Sequence, residues 1–233
     1  MMAMPILALE TSTELGSCAL LIGDQCLERT CPAGRPHSET LLPLIRELLA
    51  EAGLTFSQLA GIAFGVGPGA FTGLRVACGV AQGLATAADL PLVPVCSLEN
   101  LAEQSGQDAV LSILDARMGE VYVAAYQRQA GTYRQQGDIQ VVPPQAVPVP
   151  EGSGWLAVGN ALGVYPALGE RLDTAGMPHL AGITLPLASV AARLALPRLQ
   201  AGQGIDAALA APLYIRDKVA KTVAERLSEG GRA

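Results

Sequence analysis

The feature that most constrains this chain is a glycine-rich loop between an apolar segment and a helix of small residues. Residues 65–75 read Gly-Val-Gly-Pro-Gly-Ala-Phe-Thr-Gly-Leu-Arg. The run before the loop, residues 61–64, is typical of a buried strand, and the pattern after it predicts a helix over about residues 72–88. Glycines let the backbone approach another group closely, and the first N–H groups of a helix can bind an anion or another chain. The loop therefore predicts a close contact but does not identify the group that it contacts.

Two well-known glycine loops match this stretch poorly. A Walker A phosphate loop needs a lysine after its last glycine, but Gly73 is followed by Leu74, and the first lysine of the chain is Lys218. A dinucleotide-binding loop fits the glycine spacing, but the next apolar run ends in Cys96 and Ser97, where an acidic residue should bind the ribose. The first is excluded and the second is weak, so a tight turn that only packs helix on strand stays an alternative.

The helix after the loop carries a stripe of small residues. Gly79, Gly83 and Ala87 are spaced i, i+4, i+8 and so share one face. A glycine inside a helix costs about 0.5–1 kcal/mol relative to alanine, and close approach of another element would offset that cost. The pattern favours a subunit interface over burial inside the same domain.

A second helix upstream completes the predicted interface. Its apolar face consists of Leu41, Leu44, Ile45, Leu48, Leu49 and Ala52. Because proline is tolerated only near a helix start, Pro43 requires either that Thr40 caps the helix or that a first turn from Ser38 is kinked. His37 is interpreted as a contact residue, not as a metal ligand. The predicted partner interface consists of His37, Ser38, Leu41, Leu42, Ile45, Arg75, Gly79, Gln82, Gly83 and Thr86.

The composition of the chain argues against several classes of function. The 233 residues carry a net charge of −6, so the chain should not bind nucleic acid through a broad basic surface of its own. The five cysteines contain no Cys-x-x-Cys pair and are interpreted as reduced thiols. The first residues lack the basic region of a signal peptide, and no apolar run is long enough to span a membrane. We therefore expect a cytoplasmic protein.

The order of segments predicts an α/β fold of two lobes. Three strands at residues 6–10, 16–22 and 25–31 open the chain, and helices and strands then follow in the order of the ribonuclease H-like lobe. Leu114-Asp115 repeats the strand ending of Leu9-Glu10, which predicts a duplicated β-β-β-α-β-α type lobe. We expect a two-lobed actin-like ATPase (ASKHA, ribonuclease H-like) fold. Its predicted parts are residues 1–107 with the partner-binding helices, a smaller lobe at 108–216 and a polar tail at 217–233.

Catalytic chemistry is sparse in the sequence. The two histidines form no His-Glu-x-x-His motif, and no Gly-x-Ser-x-Gly motif occurs. Glu10 and Asp115 either solvate their strand ends or hold a metal-bound nucleotide between the lobes. The alternative to a partner-binding protein is therefore a nucleotide-binding ATPase or phosphotransferase, and its phosphate loop would consist of Thr11, Ser12, Gly67 and Gly69. We expect no catalytic residues, no metal site and no cofactor.

Three motifs in this order resemble the TsaB (YeaZ) family over almost the whole chain. They are residues 67–75, residues 115–122 (Asp-Ala-Arg-Met-Gly-Glu-Val-Tyr) and residues 212–216 (Pro-Leu-Tyr-Ile-Arg). Residues 9–12, Leu-Glu-Thr-Ser, also match, although the family usually has aspartate in place of Glu10. The resemblance implies a non-catalytic subunit that pairs with the catalytic subunit TsaD and works with the ATPase TsaE. Their product is threonylcarbamoyladenosine, 3′ of the anticodon in tRNA.

The resemblance also bears on metal binding and assembly. The catalytic relative is similar to this chain around residues 94–101, where it carries a metal-binding His-x-x-x-His pair; here the matching residues are Ser97 and Leu101. Neither a hydroxyl nor an aliphatic side chain replaces an imidazole, so the metal site should be absent. An exposed apolar face should also pair with itself, so we expect homodimers in isolation, and contact with tRNA only through the complex.

Overall fold

The computed structural model describes residues 4–215, which form two five-stranded sheets flanked by helices. The strands are β1 Ile6–Glu10, β2 Ser17–Ile22, β3 Gln25–Thr30, β4 Gly61–Gly67, β5 Leu92–Cys96, β6 Ala109–Arg117, β7 Glu120–Gln129, β8 Thr132–Val142, β9 Trp155–Val158 and β10 His179–Leu180. The helices are α1 His37–Ala52, α2 Phe71–Ala88, α3 Ser97–Ser105, α4 Ala161–Val164, α5 Pro166–Thr174 and α6 Ala188–Gln200. No helix among the described residues is both long and apolar enough to cross a membrane.

The two sheets have the same topology, which confirms the predicted duplication. The first has the order β3-β2-β1-β4-β5 and the second the order β8-β7-β6-β9-β10 when read in the same sense. In each, the first three strands of the lobe are antiparallel and the last two continue the sheet in parallel. Glu10 ends β1 and Asp115 lies near the end of β6, so the two carboxylates occupy equivalent strand ends, as their sequence context predicts.

The first sheet is covered on both faces. Apolar residues of α1 and α2 pack on one face, where Leu41, Ile45 and Ala81 are fully buried. On the other face, α6 packs a row of alanines that includes Ala188 and Ala195. The close fit of alanine against a sheet explains why α6 lies flat on β1, β2 and β4.

The start of α1 differs from both predicted versions. The helix begins at His37, directly after Pro36, and Pro43 lies inside it. Thr40 does not cap the helix, because its hydroxyl donates a hydrogen bond of 3.2 Å to the carbonyl oxygen of Pro36, one turn earlier. Thr40 is therefore a helical residue that satisfies a carbonyl of the first turn.

Two helices pack across the predicted boundary between the lobes. The boundary between residues 107 and 108 separates the two sheets, but α3 precedes it and packs against the second sheet through Leu98 and Leu101. Conversely, α6 follows the second sheet and packs against the first. Residues 217–233, predicted to be a tail, lie outside the described residues.

Side-chain hydrogen bonds and an ion pair connect the two lobes beside α3 and α6. Asn100 on α3 pairs with both backbone groups of Leu187: its Nδ2 donates to the carbonyl at 2.9 Å, and its Oδ1 accepts from the N–H at 3.0 Å. Arg198 on α6 pairs with Glu99 on α3 and donates to the carbonyl of Pro94 at 3.2 Å. Because Asn100 is fully buried, these bonds are shielded from water and hold α3 and α6 in a fixed relation.

Candidate functional site

Backbone atoms of the same chain occupy the space beside the glycines of the loop. A Cβ atom at Gly73 would overlap the carbonyl oxygen of Thr11, and one at Gly69 would overlap that of Ser12. Two hydrogen bonds of 2.7 Å fix this contact, from the hydroxyl of Thr11 to the carbonyl of Gly73 and from the N–H of Ala70 to the carbonyl of Ser12. The close approach that the glycines predict is therefore made by the end of β1.

A second chain segment covers Gly67. Gly67 has a positive φ of 113°, and a Cβ there would lie 3.1 Å from the carbonyl oxygen of Leu213. The N–H of Leu213 donates a 2.7 Å hydrogen bond to the carbonyl of Val66. The four residues predicted as a phosphate loop, Thr11, Ser12, Gly67 and Gly69, thus pack against the protein's own backbone, which does not favour that prediction.

Glu10 points into the core of the first lobe. Its side chain is fully buried, and it occupies the space that a side chain at Gly65 would fill. Its Oε1 accepts a 2.7 Å hydrogen bond from the N–H of Ser12, and its Oε2 has no hydrogen-bond partner among the described residues. Burial raises the pKa of Glu10 above its ordinary value of 4.5, and the bonds from Ser12 only partly oppose this. Glu10 is therefore not placed to hold a nucleotide between the lobes.

We expect Glu10→Gln to stabilise the protein at neutral pH. Because the folded state holds the Glu10 proton more tightly than the unfolded state, wild-type stability falls as pH rises from 4.5 toward the raised pKa. The variant carries no charge there, so its advantage in free energy of unfolding should grow over this interval and vanish near about pH 4. Denaturant unfolding at a series of pH values measures the difference. Glu47→Gln, at an exposed position on α1, is the control. If the free energies of unfolding of wild type and E10Q changed in parallel with pH, the raised pKa of Glu10 would be contradicted.

Asp115, unlike Glu10, reaches the space between the lobes. Its carboxylate accepts hydrogen bonds of 3.0 Å from the hydroxyl of Tyr165 and the N–H of Arg117, whose guanidinium lies 3.3 Å away. Arg117 also lies 3.7 Å from Glu14 of the first lobe. The carboxylate is thus neutralised by groups of its own lobe. The two matched carboxylates differ in that Glu10 lies in the core of the first lobe, whereas Asp115 lines the cleft with a side chain that is only 4% exposed.

A cleft of about 700 Å³ separates the lobes above the glycine loop. Its walls are formed by residues 12–14, 34–38, 69–74, 114–118 and 213–215, together with Val76, Tyr122 and Asn160. Within residues 4–215, no three His, Cys, Asp or Glu side chains are grouped closely enough to hold a metal ion.

Four residues of the predicted partner interface are engaged inside the chain. Leu41 and Ile45 are residues of α1 that are fully buried in the core of the first lobe. The His37 ring lies 3.0 Å from the carbonyl oxygen of Thr13, through its Nε2. Gln82 donates hydrogen bonds of 3.1 and 3.0 Å to the carbonyls of Ala207 and Ala210. An apolar helical face such as that of Leu41 and Ile45 predicts burial but does not identify the group that covers it.

The other predicted interface residues are exposed on the outer side of α1 and α2: Ser38, Leu42, Arg75, Gly79, Gly83 and Thr86. Leu42 is 41% exposed, a high value for a leucine on a helix that covers the core. No atom lies within 4 Å of a Cβ built at Gly79 or at Gly83. Nothing in the described chain therefore uses the close approach that these two helical glycines permit.

Sequence reasoning missed the segment that runs along α2. Residues 207–215 follow the helix from Gln82, which binds Ala207 and Ala210, to Arg75, whose Nε donates to the hydroxyl of Tyr214 at 3.0 Å. The motif Pro-Leu-Tyr-Ile at residues 212–215 was the available signal, but it does not say which helix it meets. The segment contacts α2 through Gln82 and Arg75 and leaves the glycine stripe open.

Comparison with known proteins gives a consistent family. A family model described as "TsaD: tRNA N6-adenosine threonylcarbamoyltransferase" matches residues 32–223. The chain is similar to the tRNA threonylcarbamoyladenosine biosynthesis protein TsaB of Escherichia coli (strain K12), with 35% identity over 93% of this chain and 96% of that protein. The similarity to TsaB of Haemophilus influenzae is also 35%, over 94% of this chain and 96% of the relative.

Solved structures agree in fold. YeaZ from Pseudomonas aeruginosa is 39% identical, with a TM-score of 0.79, and the match covers 91% of this chain and all of that one. A further structure, described as an uncharacterized Pseudomonas aeruginosa protein with similarity to peptidase YEAZ, gives a TM-score of 0.81 at the same identity and with the same coverage. Identity at this level over nearly the full length of both chains, together with the duplicated two-lobed fold, shows that the chain belongs to the TsaB (YeaZ) family.

Proposed function

We propose that this chain is a non-catalytic scaffold subunit that pairs with the catalytic subunit TsaD. With the ATPase TsaE, the pair transfers a threonylcarbamoyl group to the adenosine 3′ of the anticodon in tRNAs. The printed names of the relatives, tRNA threonylcarbamoyladenosine biosynthesis proteins, support the pathway. The observation that carries the scaffold role is the open, exposed face of α2 at Gly79 and Gly83. A partner helix packed there would offset the cost of about 0.5–1 kcal/mol per helical glycine.

The neighbourhood of α3 supports a non-catalytic role. At the positions where the resemblance implies a metal-binding histidine pair in TsaD, this chain has Ser97 and Leu101, and both are fully buried. Leu101 packs in the core between α3 and the second sheet. These positions serve to attach α3 to its sheet, and neither side chain supplies a nitrogen ligand.

The geometry does not favour the alternative of a nucleotide-binding ATPase or phosphotransferase. Thr11 and Ser12, which would cradle phosphate, are buried against α2, and Glu10 is buried beneath them. A peptidase activity, suggested by the description of one structural neighbour, has neither of the two catalytic motifs sought in the sequence to support it.

The same face accounts for the proposed assemblies. In isolation, two copies cover each other's α1 and α2, and TsaD replaces the second copy when it binds. Because the net charge is −6, tRNA contacts the complex mainly through the other subunits. The proposed location is the cytoplasm, where tRNA substrates are modified.

An omission experiment tests this function. Threonylcarbamoyl transfer from threonylcarbamoyl-AMP to unmodified tRNA is measured with this chain alone, with TsaD and TsaE, and with all three proteins and ATP. We expect sustained turnover only in the complete mixture. Turnover by this chain alone would contradict the non-catalytic role, and full turnover without it would contradict the scaffold role.

A further inference from the structure

Three side chains at the start of α2 form a stacked group beside the open glycine face. The guanidinium carbon of Arg75 lies 3.8 Å from the ring centre of Phe71, one helical turn earlier. The Nε of Arg75 donates a 3.0 Å hydrogen bond to the hydroxyl of Tyr214, and the rings of Phe71 and Tyr214 are 5.4 Å apart. Arg75 is therefore held by an aromatic ring and a phenol and is not free to explore its rotamers.

This held arginine is exposed and has no acidic partner among the described residues. Phe71 is 36% and Tyr214 46% exposed, and Arg75 is exposed as well. No salt bridge joins Arg75 to a carboxylate within residues 4–215, which is also true of Arg46, Arg134, Arg171 and Arg193. Tyr214 binds the Nε, and within residues 4–215 the terminal nitrogens of the guanidinium keep their donors for another group.

We propose that Arg75 is a preformed receptor for a carboxylate side chain of the partner subunit, and that Phe71 and Tyr214 are its positioning residues. This inference rests on the proposed pairing with TsaD. Arg75 lies on α2 one turn before Gly79, so a helix that packs over the glycines passes beside the guanidinium. A planar guanidinium fork binds a carboxylate through two parallel hydrogen bonds, and fixing it beforehand removes the entropy cost of ordering a long side chain on binding.

Charge favours a protein carboxylate over the phosphate of a nucleic acid. The chain as a whole is acidic, with 21 Asp and Glu against 15 Lys and Arg, so a polyanion approaching this face meets a net repulsion. A single carboxylate on an otherwise apolar partner helix can pair with the Arg75 guanidinium and avoids most of that repulsion. The stacked group therefore fits an apolar helix that carries an acidic residue near one end.

The affinity for TsaD tests this. Calorimetric titration of TsaD is performed at two salt concentrations, about 50 and 300 mM, which differ strongly in Debye length. We expect Arg75→Gln to weaken binding about 30-fold and to flatten the salt dependence, because a desolvated charge pair is lost. Arg75→Lys, which keeps the charge without the fork, should be intermediate. Phe71→Leu and Tyr214→Phe should each weaken binding several-fold and leave the salt dependence in place, because the charge remains.

Arg134→Gln is the matched control, since it removes an exposed arginine from β8 in the other lobe and should change neither affinity nor salt dependence. Unchanged affinity of R75Q for TsaD would overturn the inference, and so would a loss that appears only when the assembled complex binds tRNA. Asp217 follows Tyr214 closely in the sequence. Coupling of thermal stability between Arg75→Gln and Asp217→Asn would mean that the carboxylate is the chain's own. If wild type does not bind TsaD at all, the proposed function itself fails.

Discussion

Gly73→Ala is expected to destabilise the protein by about 3 kcal/mol, the upper part of the range for overpacked interiors. The added Cβ would overlap the carbonyl oxygen of Thr11, a backbone atom that cannot rotate away. Moving β1 away from α2 would also weaken the hydrogen bond from the Thr11 hydroxyl to the Gly73 carbonyl. The free energy of unfolding from denaturant titration measures the effect.

Gly79→Ala, two turns further along the same helix, is the control. Nothing lies within 4 Å of its Cβ position, so alanine should stabilise the isolated chain by about 0.5–1 kcal/mol. Replacing glycine by alanine should therefore lower the free energy of unfolding at residue 73 and raise it at residue 79. If both substitutions were neutral, the contact between the end of β1 and the glycine loop would not contribute as described.

Gly83→Leu is expected to weaken binding to TsaD at least about 100-fold, which corresponds to about 2.7 kcal/mol. Gly83 is exposed with open space above it, so leucine fits the isolated chain and has a better helix propensity. In the complex, its side chain would hold the partner helix away from α2 and separate the packed surfaces around it. Homodimers formed through the same face should dissociate as well, which analytical ultracentrifugation measures.

Gly163→Leu provides the matched control, because Gly163 lies on α4 of the second lobe and also has nothing within 4 Å. It should leave the affinity for TsaD unchanged. A folded G83L protein with wild-type affinity would show that α2 is not part of the partner surface.

The strands and helices of the first lobe follow from local pattern, whereas their arrangement does not. Apolar runs and a Gly-Asp turn predict β1, β2 and β3 almost to the residue. The bounds of the edge strand β8 were not predicted because its centre, residues 134–138, is polar and exposed. The packing of α3 and α6 across the lobes could not be predicted from the sequence, since an alanine face indicates close packing on a sheet but does not identify which sheet.

The candidate site was predictable only in part, for a similar reason. The glycines at 69 and 73 correctly indicate a close backbone contact, but a missing Cβ does not identify its neighbour, which proved to be Thr11 and Ser12. The roles of Arg75 and Gln82 depend on residues 207–214, far away in the sequence. By contrast, the openness of Gly79 and Gly83 agrees with the small-residue stripe, because its signal is local to one helix.

The central claim is that the outer face of α1 and α2 is the partner surface, and hydrogen exchange of this chain with and without TsaD tests it most directly. The account predicts slower exchange in peptides that cover residues 38–46 of α1 and 75–87 of α2, with β8 unchanged. Protection confined to the second sheet or to the cleft between the lobes, with α2 exchanging as in the free chain, would contradict it.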